Sequence, residues 1–364
     1  MIELPLGHYR HLKRLADLRR CSLSQAVEYL FAAVEADPGD WIDEHVNPSE
    51  EVRRLNACGR SAEDLMDRIQ GLPRNIRPVT DGPYLDRFDF FSSESGLLGI
   101  EADGVRVLDF EKATLRDINV FALVKDLLPP MTVEQYRVYN TFNSQYLRLV
   151  REPHLFTMPD KKAPAIDVGC YVGHKALALA QFVGGAEVLA FEMVEENVHV
   201  LEQNARNNPQ RKIRPIHAAL SDRHAQLAMN TRNEQSMAHS LAHFNTLKEA
   251  NTSLLSGGEM EISGQTVSAV PLDDFTRSYD EISALHISVN GYEPEVTMGA
   301  RGTIRKSDIV RISCPYRRDD APIFDLVVKI LRMDGIEVFG RSGAAVIAGK
   351  RRGHYHARPI AAAG

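Results

Sequence analysis

Short apolar strands alternate with helical segments between about residue 163 and residue 220. The segments are, in order, APAIDVG, HKALALAQFVG, EVLAFE, EENVHVLEQNARNN and IRPIHAAL. Alternation of this kind is typical of parallel strands joined by right-handed crossover helices. Ligands of such sheets bind beyond the carboxyl ends of the strands. The residues at those ends are therefore the first candidates for a functional site.

The first of these strands ends in a glycine turn, residues 167–173, with the sequence DVGCYVG. Glycine lets a turn adopt unusual backbone angles and lets a ligand approach the main chain. The next strand ends at Glu192, whose carboxylate can accept hydrogen bonds from both hydroxyls of an adenosine ribose. A nicotinamide-binding turn would read G-x-G-x-x-G, whereas here Asp167 precedes Gly169, and a P-loop would need a G-K-[ST] that is missing. The spacing favours S-adenosylmethionine, because the acid suits its ammonium group and would repel a pyrophosphate.

The polar, proline-flanked stretch before this region indicates a domain boundary near residue 160. We therefore divide the chain into an N-terminal extension, residues 1–158, and a second domain, residues 159–364. The extension is predicted to be mainly helical, and one of its helices follows the capping box of Ser22 and Gln25. It also contains a predicted β-hairpin, GLLGIEADGVRVLDF.

A second capping box, Thr132 with Gln135, predicts a helix at the end of the extension. Aromatic residues lie near one face of this helix. Such a stripe is typical of core packing, and the alternative is a lid that covers an acceptor molecule in the next domain. The residues of the stripe are Tyr136, Tyr139, Phe142 and Tyr146.

Composition narrows the class of protein. The formal net charge of −6 lacks the basic signature of a nucleic-acid binder. The four cysteines have no C-x-x-C spacing, so neither a zinc site nor a disulfide framework is indicated, and a reducing cytoplasm fits. The N-terminus does not resemble a signal peptide, and no run of about 18 apolar residues occurs. We expect a cytoplasmic protein without nucleic-acid or membrane partners, and a homodimer stays open.

Five ordered segments resemble the FkbM-type S-adenosylmethionine-dependent methyltransferases, over residues from about 164 to 315. They read AIDVGCYVGHKALALA, VLAFEMVEENVHVLEQNARNN, IHAALSD, VPLDDF and LHISVNGYEPEVTMGA. The resemblance implies a class I methyltransferase fold, which is an α/β, Rossmann-like, doubly wound sheet of seven mostly parallel strands. Its last strand would be antiparallel, and GIEVFGRSGAAVIAGKR can supply the final hairpin.

The resemblance also implies roles for single residues. Glu192 would hold the ribose of S-adenosylmethionine, and Met193 would lie against its adenine. Ser221 and Asp222 would lie near the edge of the base, although Asp222 is equally well explained as a cap of the following turn. The cofactor turn would be formed by Asp167, Gly169, Cys170 and Gly173.

The chain departs from the family at one strand end. Members usually read IDVEGAE where residues 287–293 read ISVNGYE, so Ser288 and Asn290 replace two acids and Glu293 stays. Hard cations prefer carboxylate oxygens, so we predict no metal site here. Ser288 and Asn290 would orient an acceptor hydroxyl by hydrogen bonds. Glu293 or a histidine, His239 first, would remove its proton.

Other readings of the histidines stay open. His239 and His243 have the helical i, i+4 spacing of a pair of metal ligands, but no third ligand is apparent, so a solvated helix face is the favoured interpretation. His286, inside a strand, is interpreted as structural.

The predicted function is methyl transfer from S-adenosylmethionine to a hydroxyl of a small molecule, such as a sugar or a secondary metabolite, or of a glycan. The alternative is a catalytically silent relative that acts as a binding or scaffold protein.

Overall fold

The computed structural model describes most of the chain from residue 88 onwards. The described residues are 88–102, 104–109, 113, 117–118, 121, 128–150, 163–232, 246–248, 260–318, 321–342 and 345–350. The predicted helix after Ser22 lies outside them. The mainly helical character of residues 1–158 accordingly stays a prediction.

The strands follow the order of the chain. They are β1 (Phe88–Ser92), β2 (Leu98–Ala102), β3 (Val105–Asp109), β4 (Ala165–Val168), β5 (Val188–Glu192), β6 (Ile213–His217), β7 (Ala219–Leu220), β8 (Ala225–Arg232), β9 (Thr246–Lys248), β10 (Met260–Val270), β11 (Ile282–Ile287), β12 (Ser307–Ser313), β13 (Tyr316–Arg318), β14 (Ala321–Pro322), β15 (Val338–Ser342) and β16 (Ala345–Ala348).

The α-helices are α1 (Val133–Phe142), α2 (Arg148–Val150), α3 (His174–Phe182), α4 (Glu195–Asn207), α5 (Leu272–Thr276), α6 (Glu293–Gly299), α7 (Arg301–Lys306) and α8 (Ile323–Met333). A wider π-helical turn, Asn143–Leu147, joins α1 to α2, and a short 3₁₀ turn, Pro209–Arg211, follows α4.

A seven-stranded sheet forms the centre of the second domain, in the spatial order β15-β16-β12-β11-β4-β5-β6. The pairs from β12 to β6 are parallel, while β16 runs antiparallel to both of its neighbours. This topology confirms the predicted strand–helix alternation and the antiparallel last strand. The hairpin of β15 and β16 also lies where the sequence placed it.

Both faces of this sheet are covered, which explains why its central strands are almost continuously apolar. Ile166 and Val168 of β4 face one hydrophobic core, and Ala165 faces the other. Successive side chains point to opposite faces of a strand, so Asp167 lies on the same face as Ala165. Polar side chains therefore enter the sheet near the carboxyl ends of its strands.

The last segment of the predicted alternation, IRPIHAAL, is divided into two strands, so the prediction of one strand was wrong. β6 ends at His217, and Ala218 N donates to Glu192 O at 2.9 Å. β7 then joins a separate three-stranded sheet with β10 and β8. The chain thus leaves the central sheet immediately beside the end of β5.

The described part of the extension packs on the second domain. β1, β2 and β3 form an antiparallel sheet that includes the predicted hairpin. The capping box is confirmed, since Thr132 Oγ1 accepts from Gln135 N at 3.2 Å and Gln135 Oε1 accepts from Thr132 N at 2.8 Å. The aromatic stripe that begins at Tyr136 is buried in one core with residues of α3, which confirms the packing interpretation.

Candidate functional site

The glycine turn after β4 lies directly against the loop after β11. Gly169 and Gly173 have φ angles of 71° and 97°, in the left-handed region. A Cβ atom on Gly169 would lie 2.1 Å from the carbonyl oxygen of Ser288, so the position admits no side chain. Ser288 N also donates to Val168 O at 2.9 Å. Two strand ends that the sequence singled out are therefore in contact.

Hydrogen bonds also join this turn to β5. The amides of Gly169 and Cys170 both donate to Phe191 O, at 3.0 and 3.1 Å. The Cys170 side chain is buried, and burial raises the pKa of its thiol. Cys170 therefore contributes its backbone to the turn and keeps a protonated, packed side chain.

Glu192, predicted to hold a ribose, is itself part of the turn's support. Its Oε2 accepts from Tyr171 N at 2.9 Å, and its Oε1 accepts from Met193 N and Val194 N at 3.0 Å each. Burial raises the pKa of this carboxyl group, and the N–H bonds oppose that rise. A carboxylate offers about four acceptor positions. A ribose hydroxyl would therefore share Glu192 with the backbone of the turn.

A polar row, fully buried at Asp167 and His286, crosses three strands beside the turn. Asp167, His286 and Arg311 are neighbours in register. His286 Nδ1 lies 2.8 Å from Asp167 Oδ1, and Arg311 Nη1 lies 3.1 Å from His286 Nε2. Burial lowers the pKa of His286 to about 4, so the neutral ring donates to Asp167 and accepts from Arg311. Asp167 Oδ2 is buried without a hydrogen-bond partner in the described part of the chain. That oxygen can accept from a cationic ligand group.

The loop after β11 is closed by the acid that begins α6. Glu293 is fully buried. Its Oε1 accepts from Val289 N at 3.1 Å, and its Oε2 accepts from Gly291 N at 3.0 Å. Burial raises the pKa of Glu293 to about 7, although these N–H bonds and the nearby Arg318 oppose the rise. Both protonation states are therefore populated near neutral pH.

Two residues of β13, which the sequence analysis missed, complete this loop. Tyr316 donates from its hydroxyl to Asn290 Oδ1 at 2.8 Å. Arg318 donates to Gly291 O at 2.6 Å and forms an ion pair with Glu295 through both of its terminal nitrogens. β13 pairs with β14 and β9 rather than with the central sheet. No motif or periodicity in the sequence signals this contact, since it depends on where the small sheet packs.

The segment after β7 meets α6. A Cβ atom on Gly299 would lie 1.9 Å from Ser221 O. Ser221 Oγ lies 3.2 Å from the Tyr292 hydroxyl and 3.0 Å from Asp222 Oδ1. Asp222 also pairs with Arg223 at 2.9 Å. The structure thus brings Ser221 to the loop after β11, while the predicted contact of Ser221 and Asp222 with adenine stays a prediction.

Met193, the predicted adenine neighbour, immediately follows β5. Its carbonyl oxygen lies 3.1 Å from His217 Nε2 at the end of β6. This contact fixes the backbone where the adenine is expected. His239, the histidine proposed as a proton acceptor, lies outside the described residues together with His243.

Two findings concern ligands and membranes. Within the described ranges, no three His, Cys, Asp or Glu side chains are grouped so as to hold a metal ion. None of the helices in that part of the chain is long and apolar enough to cross a membrane.

Comparison with solved structures gives weak global similarity to several methyltransferases. Fibrillarin from Aeropyrum pernix, in complex with S-adenosyl-L-methionine, has 13% identity and a TM-score of 0.35, covering 71% of this chain and 97% of that chain. Precorrin-6y C5,15-methyltransferase from Geobacter metallireducens has 9% identity and a TM-score of 0.33, covering 61% and 90%. A SAM-dependent methyltransferase from Aquifex aeolicus has 14% identity and a TM-score of 0.30, covering 57% and 92%.

No curated protein matches the chain significantly. A family model does, over residues 167–332, and it describes the methyltransferase FkbM domain. The matched range begins at Asp167, in the glycine turn, and includes the ends of β5 and β11 and the whole of β13. Residues 167–332 are therefore similar to the methyltransferase FkbM domain, which agrees with the resemblance found in the sequence.

Proposed function

We propose that the protein transfers a methyl group from S-adenosylmethionine to a hydroxyl of a small molecule, such as a sugar or a secondary metabolite, or of a glycan. One observation carries the proposal. The glycine turn, the end of β5 and the loop after β11 converge at one edge of the sheet, joined by the contact of Gly169 with Ser288 and the bond of Tyr171 N to Glu192. The class of acceptor rests on the family resemblance.

The residues at this edge suit S-adenosylmethionine. Asp167 Oδ2 lacks a hydrogen-bond partner in the described ranges, and it would accept from the ammonium group of the methionine moiety. Glu192 would accept from the ribose while it holds Tyr171 N. When bound, S-adenosylmethionine supplies an electrophilic methyl group on a sulfonium centre.

Ser288 and Asn290 would orient the acceptor hydroxyl from the loop after β11. Holding reactants in line supplies about 7 to 11 kcal/mol, whereas a general base contributes about 10²- to 10⁴-fold in rate, roughly 3 to 5 kcal/mol. Positioning is the larger contribution, so neutral hydrogen-bonding residues can support transfer. Glu293, with its pKa raised to about 7, or His239 would take the proton.

The deep burial of Glu293 sets a condition on its role as the base. Its carboxylate is enclosed by the loop that it closes, so the loop must open before Glu293 can reach an acceptor. A pH–rate profile of Glu293→Gln separates the two candidate bases: loss of an apparent pKa near 7 assigns the proton to Glu293, and an unchanged profile favours His239.

Calorimetry with S-adenosylhomocysteine, S-adenosylmethionine and NAD tests the cofactor. We expect binding of the first two and not of NAD. Glu192→Gln should weaken binding by at least about 1.5 kcal/mol, the scale of a hydrogen bond to a charged group. Glu187→Gln is the matched control, because Glu187 lies beside the amino end of the same strand. Equal affinities in the two variants would remove Glu192 from the site.

Transfer itself is tested with labelled S-adenosylmethionine against hydroxylated sugars, glycans and metabolites. Asn290→Ala should lower transfer while leaving the affinity for S-adenosylhomocysteine nearly unchanged, since the proposed cofactor residues lie on β4 and β5. A protein that binds the cofactor but methylates no acceptor would instead support the silent binding protein.

A further inference from the structure

The sheet of β1, β2 and β3, here called the N-terminal sheet, is attached to the C-terminal part of α4 by two asparagines. Asn204 lies in the helix and Asn208 directly follows it, and their side chains form the hydrogen bonds that a neighbouring strand would form. Asn208 Oδ1 accepts from Arg106 N at 3.0 Å, and its Nδ2 donates to Arg106 O at 2.7 Å. Asn204 does the same to Leu108, at 2.7 and 3.0 Å. Four helical residues advance about 6 Å and two strand residues about 7 Å, so the two spacings match. The outer edge of β3 is thereby satisfied.

The same sheet also contacts the cofactor turn directly. Asn204 Nδ2 donates to Val172 O at 2.8 Å as well as to Leu108 O. Tyr171 donates from its hydroxyl to Asp109 Oδ1, at 2.6 Å, and Asp109 is the last residue of β3. Tyr171 is therefore bonded directly to the N-terminal sheet, and Val172 is bonded to the same Asn204 side chain as the sheet.

Tyr171 is the residue of the turn that most needs support. Its φ angle is 55°, which is unusual for a residue with a side chain and persists only where the surroundings hold it. Its ring stacks on His174, with the ring centres 6.3 Å apart and an angle of 8°. Its amide donates to Glu192, the proposed ribose-binding acid. A displacement of Tyr171 would therefore disturb its hydrogen bond to Glu192 and, through it, the proposed cofactor site.

We propose that Asp109 and Tyr171 are positioning residues for the cofactor, through which the N-terminal sheet holds the glycine turn in its binding conformation. The role in cofactor binding rests on the proposed function. The stabilisation of the turn by the sheet does not rest on the proposed function, because it can be measured in the protein without cofactor. The extension would then be part of the cofactor site rather than only a cover for the acceptor.

Tyr171→Phe tests the proposal, since it removes the hydroxyl and keeps the ring. The affinity for S-adenosylhomocysteine should fall about tenfold, the effect of one hydrogen bond to a charged group. Amide hydrogen exchange in residues 168–173 of the free protein should become faster. Tyr279→Phe is the matched control, because Tyr279 donates to Glu187 Oε1 at 3.0 Å beside the opposite ends of the strands. It should change neither quantity.

Substitutions of Asp109 separate positioning from a general loss of packing. Asp109→Asn keeps an acceptor oxygen for the Tyr171 hydroxyl, so its affinity should stay closer to that of the wild type than that of Asp109→Leu. Unchanged affinity and exchange in Tyr171→Phe would overturn the proposal. If amide exchange is faster in Tyr171→Phe but the wild type does not bind S-adenosylhomocysteine, the sheet stabilises the turn and the cofactor assignment is refuted instead.

Discussion

Replacement of Glu293 by glutamine tests the electrostatics of the loop after β11. In the folded protein, burial raises the pKa of Glu293 from 4.5 to about 7. Between these values the folded state binds more protons than the unfolded state. The free energy of unfolding therefore falls as the pH rises through this window, and the loss is complete above pH 7.

The size of the effect follows from the two pKa values. The whole window corresponds to about 3 kcal/mol, and most of this change falls between pH 5 and pH 8. Glutamine keeps one acceptor oxygen for the amides of Val289 and Gly291 and loses the other. That loss costs about 1 to 3 kcal/mol at every pH, so it shifts the stability without changing its slope.

Urea denaturation of the wild type and of Glu293→Gln at pH 5, 6, 7 and 8 measures this slope. The stability of the variant relative to the wild type should rise by about 2 to 3 kcal/mol across the range. Glu196→Gln is the control for removal of one carboxylate, because Glu196 is exposed on α4. Parallel pH dependences of the wild type and Glu293→Gln would refute the assignment of a raised pKa.

Three further predictions concern the buried row, the turn and metals. Burial lowers the pKa of His286 to about 4, so between pH 4 and pH 6.5 the unfolded chain binds a proton that the folded protein does not, and the free energy of unfolding rises with pH. His286→Asn should remove about 3 kcal/mol of this rise. Acid denaturation curves of the two proteins measure the difference. Gly169→Ala should lower the free energy of unfolding in urea by more than Gly185→Ala. Both glycines have positive φ angles, but only at Gly169 would the added Cβ lie within 4 Å of other atoms, with Ser288 O the nearest. Equal losses of stability in the two variants would contradict this. Methyl transfer should persist in EDTA. Activity that is lost in EDTA and restored only by magnesium or manganese would contradict the prediction that the site of Ser288 and Asn290 needs no metal ion.

The parts of the fold with local signals were predictable from the sequence. The order of β4, α3, β5 and α4 follows from hydrophobic periodicity, and the capping box at Thr132 from two residues three positions apart. The hairpin of β2 and β3 follows from alternation around a turn. Each of these signals lies within about twenty consecutive residues.

The residues of the candidate site were only partly predictable, because their partners are distant in the chain. The sequence located Glu293 and Glu192 at strand ends. It did not show that each carboxylate accepts backbone N–H groups, since that depends on the conformation of the adjoining loops. The contacts of Asp109 with Tyr171 and of Arg318 with Gly291 join residues from separate sheets, which no local pattern encodes.

The neutral residues at the end of β11 change the electrostatics of the site as well as its hydrogen bonds. Asn290 has a φ angle of 52°, a conformation that asparagine adopts more readily than most side chains, and its Oδ1 accepts from Tyr316. An acid at this position would stand in the same loop as the buried Glu293. Neighbouring carboxylates raise each other's pKa, and they need a cation or a shared proton to relieve the repulsion. With Ser288 and Asn290 in their place, that repulsion is absent, and Glu293, with its pKa raised to about 7 by burial, can exchange its proton near neutral pH. The proposed positioning of the acceptor then falls to uncharged groups.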